Sequence, residues 1–459
     1  KEIESRCAAE TETAENDMSW QEFMELGRNF KGEYLAPVDP DRAVFGAYTS
    51  GSTGISKLVI HSSANIVATA YQMSIFIPPS DVQEVWWTPI LPPALIAVTV
   101  SMTIFPLSTG LMVSLDPFCP LENIDIEFMD RKPNFWALIP LYCEMLMSSE
   151  RIPEDYDMSH LRTIGAGAEA MNDRKYEEVE EFFHKHNVQA KLSAGYGQSE
   201  GCSNFTLPNP MFPLEDGCVG MPMTATVLGV FDKDLNELNY GESGELCMTG
   251  PSMMLHYSGW RGEELTEQTL VEHPDGNTWL HTGDEAYITE QGIVHILGRG
   301  EIKAYGDKPL HVMRMETKTV RTPGVKDGFF CLVPDQEHEG YYRPYLFVIL
   351  DGTKTLEEVA ELLKDTLEEH EYPVEIRVIK ERPYFHFKTN RKELTAQILE
   401  ELQQAEKAVK ILGGKIQDVV YFNLPDSEIQ RSLVVIEKMK PTPGRYPRKA
   451  GTPLKEPLA

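Results

Sequence analysis

The sequence predicts a layered α/β fold, because short apolar, β-prone segments alternate with amphipathic helical segments along most of the chain. Residues 172–187 have the periodicity of an amphipathic helix with an asparagine at its N-cap, and residues 191–196 are typical of a short strand. Between residues 217 and 290 the expected strands are short and separated by Gly, Asn and Asp turns, which indicates a smaller β-rich subdomain. At 459 residues, the chain is long enough for several domains.

Composition and charge exclude some partners. The 42 basic and 71 acidic residues give a formal charge of −29, which argues against binding to nucleic acid or to an anionic membrane surface. Residues 90–115 are apolar but contain prolines and hydroxyl residues, so they predict a buried helix and a strand and not a membrane span. Seven scattered cysteines without a C-x-x-C pair are typical of reduced thiols in a cytoplasmic protein, and not of a disulfide framework or a zinc site.

One loop carries the strongest chemical signal. Residues 48–57 read Tyr-Thr-Ser-Gly-Ser-Thr-Gly-Ile-Ser-Lys. The glycines allow backbone N–H groups to turn towards a ligand, the hydroxyls add donors, and Lys57 adds a positive charge, so this composition predicts a cradle for a polyphosphate. The order is not that of a Walker A loop. A Ser/Gly-rich surface loop is the alternative, but the flanking apolar segments favour a ligand site: a short buried strand at residues 43–48 and a second strand at 58–61.

This loop resembles the phosphate loop Y-T-S-G-[ST]-T-G-x-P-K of the adenylate-forming superfamily, which includes acyl-CoA synthetases, luciferases and peptide-synthetase adenylation domains. Ser56 replaces the usual proline, and we expect this change to soften the loop. Further motifs follow in the family's order: Gly-Tyr-Gly-Gln-Ser-Glu at 195–200, Gly-Glu-Leu at 244–246, Trp-Leu-His-Thr-Gly-Asp at 279–284, Gly-Arg at 298–299 and Ile-Lys-Ala-Tyr-Gly at 302–306. The resemblance extends from residue 19 to residue 394, and its motifs are most similar to those of acyl-CoA synthetases.

The resemblance implies a set of residues that bind ATP. Tyr196 would stack on adenine, Ser199 would contact the α-phosphate, and Glu200 would bind Mg²⁺. Asp284 and Arg299 would hold the ribose. The residues that would hold the β- and γ-phosphates are Thr49, Ser50, Gly51, Ser52, Thr53, Gly54 and Lys57. The remaining implied contacts with ATP or coenzyme A are Gly167, Ala168, Glu169, Gly197, Lys303 and Gly306, the last of which would leave room for the pantetheine arm.

The last motif assigns a catalytic lysine. Residues 386–394 read His-Phe-Lys-Thr-Asn-Arg-Lys-Glu-Leu and resemble N-G-K-x-x-R-x-x-L, which puts Lys388 in the catalytic position, with Thr53 and Glu200 as further catalytic residues. Phe387 stands where the family has glycine, so the local backbone must differ. A solvated basic run at the start of a helix near residue 392 is the alternative. An ammonium group suits the role because it can bridge the attacking carboxylate and the α-phosphate.

The pocket for the carboxylic acid is the least defined part of the predicted site. By resemblance it lies between the phosphate loop and the Gly-Ala-Gly-Ala-Glu element at residues 165–169. Trp86 and Trp87 could equally belong to the core, so both interpretations stay open at this point. The residues assigned to the pocket wall are Trp87, Phe135, Gly165, Ala194 and Gly195.

The motifs also predict an organisation into domains. Family members carry an α/β subdomain before the phosphate loop, and we expect this sequence to lack it. The expected parts are a linker at 1–18, a partial large adenylate-forming domain at 19–297 that opens with a short helix, a hinge at 298–301, a small mobile α+β domain at 302–400 and an extension at 401–459. In the extension we expect a helix to about residue 412, then an added strand-and-helix unit, and a disordered tail from residue 441.

Together these features predict an ATP-dependent enzyme that converts a small-molecule carboxylic acid to an acyl-AMP and then transfers the acyl group to coenzyme A. Mg²⁺ is the expected cofactor, and self-association is left open. The hinge is two residues shorter than the family's, so adenylation is better supported than thioester formation. Two alternatives remain: a stand-alone adenylation enzyme that loads a separate carrier protein, and a non-catalytic homologue that binds a nucleotide or an acyl-AMP.

Overall fold

The computed structural model of the chain divides into two compact units, residues 1–40 and residues 41–459. In the first unit, helix α1 (Trp20–Asn29) confirms the short helix predicted from residue 19. The Ser19 side chain accepts a hydrogen bond from the N–H of Glu22, whose carboxylate accepts one from the N–H of Ser19, and this reciprocal cap starts the helix. The structure describes residues 18–32, 37, 39–49, 56–77, 83–167, 172–207, 217–300, 303–335, 338–385, 388–423, 430–441 and 443.

The second unit begins with two antiparallel strands on either side of the predicted phosphate loop. Strands β1 (Ala43–Tyr48) and β2 (Leu58–Ser62) pair with Tyr48 opposite Leu58, and helix α2 (Ser63–Phe76) follows β2 directly. Both strands were predicted, but the expectation that β1 is buried is wrong, because Ala47 alone among its six residues is buried. In its three-stranded sheet β1 is an edge strand, which leaves one side of it open to solvent.

A five-stranded parallel sheet organises the next part of the chain. Its strands are β3 (Val85–Pro89), β4 (Met112–Asp116), β5 (Phe135–Leu138), β6 (Thr163–Ala166) and β7 (Leu192–Ala194), in the spatial order β4-β3-β5-β6-β7. The helices between them are α3 (Ile96–Thr99), α4 (Phe105–Ser108), α5 (Ile124–Arg131), α6 (Pro140–Met147) and α7 (Asp173–Lys185), with a π-helical turn at Val100–Ile104 joining α3 and α4. Parallel strands connected by helices confirm the predicted layered α/β fold, and α7 begins after its predicted cap, Asn172.

Alternation along β3 places its two tryptophans on opposite faces of the sheet. Trp87 is fully buried, and its ring centroid lies 5.2 Å from that of Trp136 within the largest apolar cluster. Trp86 faces the other way and stacks on Phe135 with 5.8 Å between ring centroids. Both faces of the sheet are therefore covered by packed side chains.

An antiparallel sheet forms the β-rich part that the sequence predicted. A short pair, β8 (Thr206–Leu207) and β9 (Met221–Pro222), precedes it, and β12 (His256–Ser258) pairs with β2 instead. Helix α8 (Gly262–Thr269) follows β12. The strands of the sheet are β10 (Val227–Phe231), β11 (Gly244–Thr249), β13 (Leu270–Glu272), β14 (Thr278–Ile288) and β15 (Val294–Arg299). The long strand β14 is the centre of the sheet and pairs with three neighbours, β11, β13 and β15.

The following part of the chain is an α+β arrangement around a three-stranded sheet. Before it come a short pair, β16 (Ala304–Tyr305) and β17 (Lys308–Pro309), and helix α9 (Val312–Val320). Strands β18 (Val325–Pro334) and β19 (Tyr342–Leu350) are antiparallel, helix α10 (Leu356–Thr366) follows, and β20 (Glu375–Val378) is parallel to β19. A short pair, β21 (Tyr384–Phe385) and β22 (Lys388–Thr389), leads into helix α11 (Arg391–Ile411). The α+β character predicted for this region is confirmed, while the hinge at 298–301 and the domain boundaries stay predictions.

The chain beyond α11 differs from the expected strand-and-helix unit. In the described residues, β23 (Gly414–Asn423) and β24 (Gln430–Lys438) form an antiparallel pair, and no helix follows them. Both segments contain a continuous run of β-branched and other apolar residues, at 419–422 and 433–436, and such runs favour strands. The predicted disordered tail falls almost wholly outside the described residues. None of the helices described here is long and apolar enough to cross a membrane.

Candidate active site

The base of the predicted phosphate loop is closed by hydrogen bonds of Thr49. Its backbone N–H donates to the carbonyl oxygen of Lys57 over 2.9 Å, and its hydroxyl accepts from the Lys57 N–H over 3.0 Å. Ser56 donates its hydroxyl to the carbonyl oxygen of Thr49 over 2.5 Å. Ser56, which we expected to soften the loop, therefore adds a hydrogen bond across the base of the loop. Five predicted phosphate-binding residues lie outside the described residues: Ser50, Gly51, Ser52, Thr53 and Gly54.

Lys57 is brought to Glu200 by a tyrosine that sequence reasoning missed. The ammonium nitrogen of Lys57 donates to the hydroxyl oxygen of Tyr257 over 2.7 Å and lies 3.5 Å from Oε1 of Glu200. Tyr257 donates to the same carboxylate oxygen over 2.6 Å. Burial, and next the charge of Glu200, raise the pKa of Tyr257 above its ordinary value, so the phenol stays neutral and donates. A basic residue, a buried phenol and a buried carboxylate thus form one cluster beside the loop.

The pairing of β12 with β2 explains how Tyr257 reaches this cluster. Tyr257 stands opposite Val59 and its neighbour Ser258 stands opposite Leu58, the residue after Lys57. No local motif singled out Tyr257, since an aromatic residue in a short strand is more often part of the core. The only available signal was its position shortly after the Gly-Glu-Leu element at residues 244–246.

Glu200 lies in a single 3₁₀ turn, Ser199–Gly201, that follows β7. The turn is held at both ends, because Met254 donates its backbone N–H to the carbonyl of Glu200, and His61 Nε2 lies 2.7 Å from the carbonyl oxygen of Ser199. Gly197, just before the turn, passes so close to the backbone of Ser203 that an added Cβ would lie 1.8 Å from its carbonyl oxygen. A glycine is therefore required there for packing, independently of any ligand.

A second cluster joins the predicted adenine and ribose residues. Oδ2 of Asp284, on β14, accepts a hydrogen bond from the hydroxyl of Tyr196 over 2.5 Å and one from Nε2 of Gln198 over 2.8 Å. Gln198 also donates to the carbonyl oxygen of Thr282. The Tyr196 ring is half-buried and meets Phe205 edge to face. The structure thus brings Tyr196 and Asp284 together and adds Gln198, a motif residue to which the sequence analysis had assigned no role.

Arg299 stands opposite Asp284 in the β14–β15 ladder, which puts the two predicted ribose residues in register. Further along the chain, the ammonium nitrogen of Lys303 lies 4.8 Å from the ring centre of Tyr342. Gly306 has a φ of +69°, and a Cβ there would meet Tyr341 only at 3.6 Å. In the described residues, backbone conformation and not a close neighbour requires this glycine. Its role towards a pantetheine arm stays a prediction.

Lys388 lies in the short strand β22, opposite Phe385 on β21. Helix α11 begins three residues later at Arg391, where the alternative interpretation expected a helix to start, so both interpretations of Lys388 stay open. Next to it, Thr389 accepts a hydrogen bond from Arg382 over 3.0 Å. Arg391 makes two hydrogen bonds to the carboxylate of Glu316, each of 2.8 Å. These contacts anchor both ends of the segment, and the catalytic role of Lys388 stays a prediction.

The residues assigned to the acid pocket do not all share one surface. Gly165, near the carboxyl end of β6, is opposite Ala137 in the neighbouring strand, on the same face of the sheet as Phe135. Trp87 points to the opposite face and is completely buried there, so the core interpretation is correct for Trp87 and its assignment to the pocket is withdrawn. Phe135 packs on Trp86 with 5% of its surface exposed, and its role in a pocket stays a prediction.

The remaining predicted residues lie along the carboxyl ends of the central strands. Ala194 ends β7, Gly195 follows it, and Gly167 follows β6. In open α/β sheets ligands bind outside this edge, which agrees with their assignment to a binding site. Ala168 and Glu169 fall outside the described residues.

The fold and these clusters define the class to which the chain belongs. The parallel sheet, the antiparallel sheet and the motif residues gathered between them are those of the adenylate-forming enzymes. Residues 2–258 match the sequence profile of the AMP-binding enzyme family, and the chain belongs to that family.

Curated relatives agree with this assignment. The chain is 26% identical over 320 residues to a long-chain-fatty-acid–CoA ligase of Escherichia coli O157:H7, covering 67% of this chain and 54% of that protein. It is 25% identical over 339 residues to 4-coumarate–CoA ligase 2 of Nicotiana tabacum, covering 70% of this chain and 58% of that protein. The chain thus spans little more than half the length of these relatives.

Solved structures share the fold. ATP-bound MatB from Rhodopseudomonas palustris superposes with a TM-score of 0.70 at 21% identity, over 82% of this chain and 72% of that one. The O-succinylbenzoate coenzyme A synthetase MenE from Bacillus subtilis, in complex with ATP and a magnesium ion, gives a TM-score of 0.64 at 20% identity, over 80% of this chain and 73% of that one.

Proposed function

We propose that this chain activates a carboxylic acid with ATP, forming an acyl-AMP and pyrophosphate, and then transfers the acyl group to coenzyme A. The observation that carries the proposal is the cluster of Lys57, Tyr257 and Glu200, in which the lysine of the phosphate loop lies 3.5 Å from the carboxylate of the predicted magnesium motif. The relatives named above are a long-chain-fatty-acid–CoA ligase and a 4-coumarate–CoA ligase, which supports coenzyme A as the acceptor.

The chemistry of Glu200 fits a magnesium ion. Mg²⁺ takes oxygen ligands, and proteins hold it with one or two carboxylates together with phosphates of the substrate. Glu200 offers such a carboxylate, and the hydroxyl of Tyr257 holds its Oε1 atom in a fixed position. When bound, Mg²⁺ would neutralise negative charge on the phosphates. Lys57 would add a second positive charge from the loop side.

The nucleoside would be held by the second cluster. Tyr196 and Gln198 orient the carboxylate of Asp284, so its oxygens are preorganised to accept hydrogen bonds from the ribose hydroxyls. The half-buried ring of Tyr196 would present a face to adenine, and Arg299 would approach from the adjacent strand. With these roles, the base would lie near Phe205 and the phosphates near Lys57.

In the first step the carboxylate of the acid attacks the α-phosphorus, and the bond to the β-phosphate oxygen breaks to release pyrophosphate. The chain contributes mainly position and charge, as in other phosphate-centred reactions. Lys57 would stabilise the departing pyrophosphate, and Lys388 would bridge the attacking carboxylate and the α-phosphate. In the second step the thiolate of coenzyme A attacks the acyl carbonyl and AMP leaves, with Lys303 and Gly306 along the path of the pantetheine arm.

Pyrophosphate release tests the proposal. The chain is incubated with ATP, Mg²⁺ and each member of a panel of carboxylic acids, with and without coenzyme A. We expect release with at least one class of acid and formation of its CoA thioester. Glu200→Gln should abolish release, while the matched control Glu237→Gln, an exposed carboxylate of the β-rich part, should not. Release without any thioester would favour a carrier-loading enzyme, and ATP binding without release would favour a non-catalytic homologue.

A further inference from the structure

A cluster of soft metal-ligand side chains lies in the antiparallel sheet, on the face turned away from the core of that sheet. In the part of the chain that the structure describes, Cys247, His273 and His281 present one sulfur and two imidazole nitrogens that all lie within 4.8 Å of one another. Leu246 and Leu280, their neighbours in sequence, point to the opposite face and pack in the apolar cluster there.

Sheet register explains why these residues meet although the sequence separates them. Cys247 on β11 stands directly opposite His281 on β14, and side chains opposite each other in antiparallel strands share a face. His273 follows the last residue of β13, which pairs with the start of β14. The spacing of the three residues matches no zinc motif, and the sequence analysis accordingly predicted reduced, separate thiols.

The distance between the two imidazole nitrogens is close to that of a tetrahedral site. The Nε2 atoms of His273 and His281 are 2.9 Å apart. Two imidazole nitrogens bound to one Zn²⁺ are separated by about 3.3 Å, and a nitrogen and a thiolate sulfur by about 3.6 Å, given the usual bond lengths. The sulfur of Cys247 lies within 4.8 Å of both nitrogens, so binding of one ion by all three donor atoms requires the sulfur to come closer to the imidazoles by rotation of the side chains.

Glu245 supplies the outer partner that metal-binding histidines usually have. Its Oε2 lies 2.9 Å from Nδ1 of His281, and its Oε1 accepts a hydrogen bond of 3.0 Å from the backbone N–H of Gly283. A carboxylate bound to Nδ1 fixes the imidazole with Nε2 as a lone-pair donor and orients the ring. The thiolate and this carboxylate together would balance the charge of a divalent ion.

The surroundings favour a bound ion with one side accessible. Cys247 and His273 are buried, and the rings of Phe231 and Trp279 pack against His273 at 4.5 and 5.7 Å between centroids. The His281 side chain is 14% exposed and that of Glu245 is 37% exposed, so an ion could enter from that side.

We propose that Cys247, His273 and His281 bind a divalent transition-metal ion of the zinc class, with Glu245 orienting His281 and a water or other small ligand in the fourth position. Sulfur and imidazole donors select such an ion over Mg²⁺ or Ca²⁺, which prefer oxygen. The site would hold together β11, β13 and β14, the strand that carries Asp284. It is independent of the proposed ligase activity.

Cobalt binding tests the proposal directly. The full chain is treated with a chelator, reduced and titrated with Co²⁺. We expect one ion per chain, with the d–d bands of tetrahedral cobalt and a thiolate-to-cobalt charge-transfer band, both removed by an excess of Zn²⁺. Cys247→Ser should abolish the charge-transfer band. The matched control Cys331→Ser, which replaces another buried cysteine, should leave the band unchanged.

Two further variants keep the test decisive if Cys247→Ser folds poorly. His281→Gln, at the exposed edge of the cluster, should remove the tetrahedral d–d bands, and Glu245→Gln should retain the site but lower its affinity by about 10- to 100-fold. Zn²⁺ should also raise the unfolding temperature of the parent and not that of His281→Gln. Failure of the parent to bind Co²⁺, or binding that is equal in the parent and in His281→Gln, would overturn the proposal.

Discussion

Tyr257 and Glu200 are joined by a hydrogen bond of 2.6 Å, although 57 residues separate them in the sequence. Both side chains are buried, and Lys57 donates to the same phenolic oxygen. The phenol of Tyr257 therefore accepts a hydrogen bond from the ammonium group of Lys57 and donates one to the carboxylate of Glu200. This arrangement fixes the Glu200 carboxylate beside the phosphate loop, and it requires a hydroxyl group at residue 257.

Replacement of Tyr257 by phenylalanine removes that hydroxyl while keeping the ring. We expect a loss of about 1–3 kcal/mol in the free energy of unfolding, because a buried carboxylate loses a hydrogen bond. A higher Mg²⁺ requirement for pyrophosphate release should accompany the loss, since Glu200 is no longer held in place. Denaturant unfolding and Mg²⁺ titration of activity measure the two effects. Tyr240→Phe, at an exposed tyrosine, is the control, and parental behaviour of Tyr257→Phe would contradict the positioning role.

Lys388→Ala tests the assignment of the last motif. If its ammonium group stabilises the transition state, formation of the acyl-AMP should fall by about 10²-fold or more, while binding of ATP changes little. Single-turnover pyrophosphate release and equilibrium binding separate the two quantities. Lys392→Ala, which removes an exposed lysine in the first turn of α11, is the matched control. Equal rates for Lys388→Ala and its parent would show that the motif was misaligned.

Asp284→Asn should weaken nucleotide binding with little change in fold, because asparagine has nearly the same shape and still accepts the hydrogen bond from Tyr196. Loss of a charged acceptor for the ribose hydroxyls is worth about 1.5–3 kcal/mol, or roughly a 10- to 100-fold rise in the dissociation constant for ATP. Calorimetric titration measures this change. Asp234→Asn, in an exposed turn, should bind ATP as the parent does. Unchanged affinity of Asp284→Asn would count against the ribose role.

The pH dependence of stability should reflect the burial of His61. Burial lowers the pKa of His61 in the folded chain, an effect larger than the opposing influence of the Ser199 carbonyl and the Glu200 charge. The unfolded chain therefore binds a proton at this histidine more readily than the folded chain does. His61 lowers the free energy of unfolding as the pH falls below about 6.5 and has no such effect above that pH.

His61→Gln should consequently reduce the loss of stability between neutral and mildly acidic pH, whatever its effect at neutral pH. The quantity to compare is the slope of the unfolding free energy against pH in the two proteins. His184→Gln, at an exposed histidine of α7, serves as the control. An identical acid slope in His61→Gln and the parent would rule out His61 as a source of the acid sensitivity.

Local features of the sequence were sufficient to predict several helices and strands and the residues of the motifs. The cap at Asn172 and the two strands on either side of the phosphate loop were predicted because they depend on neighbours a few residues away. The edge position of β1 was not predicted, since it depends on which distant strand is present on each side. The pairing of β23 with β24 was not predicted either, although only six residues separate the two strands.

The sequence by itself determined the α/β class, the family and the order of the residues expected to bind ATP, because these are written as short contiguous patterns. Only the tertiary structure decided which residues complete the clusters. Tyr257 meets Lys57 through the register of β12 on β2, Trp87 turns into the core through alternation, and Cys247 meets His281 across two strands. Strand register is set by the packing of whole sheets. A shift of the register by one residue moves every side chain of the strand to the opposite face of the sheet, so no local pattern could specify these contacts.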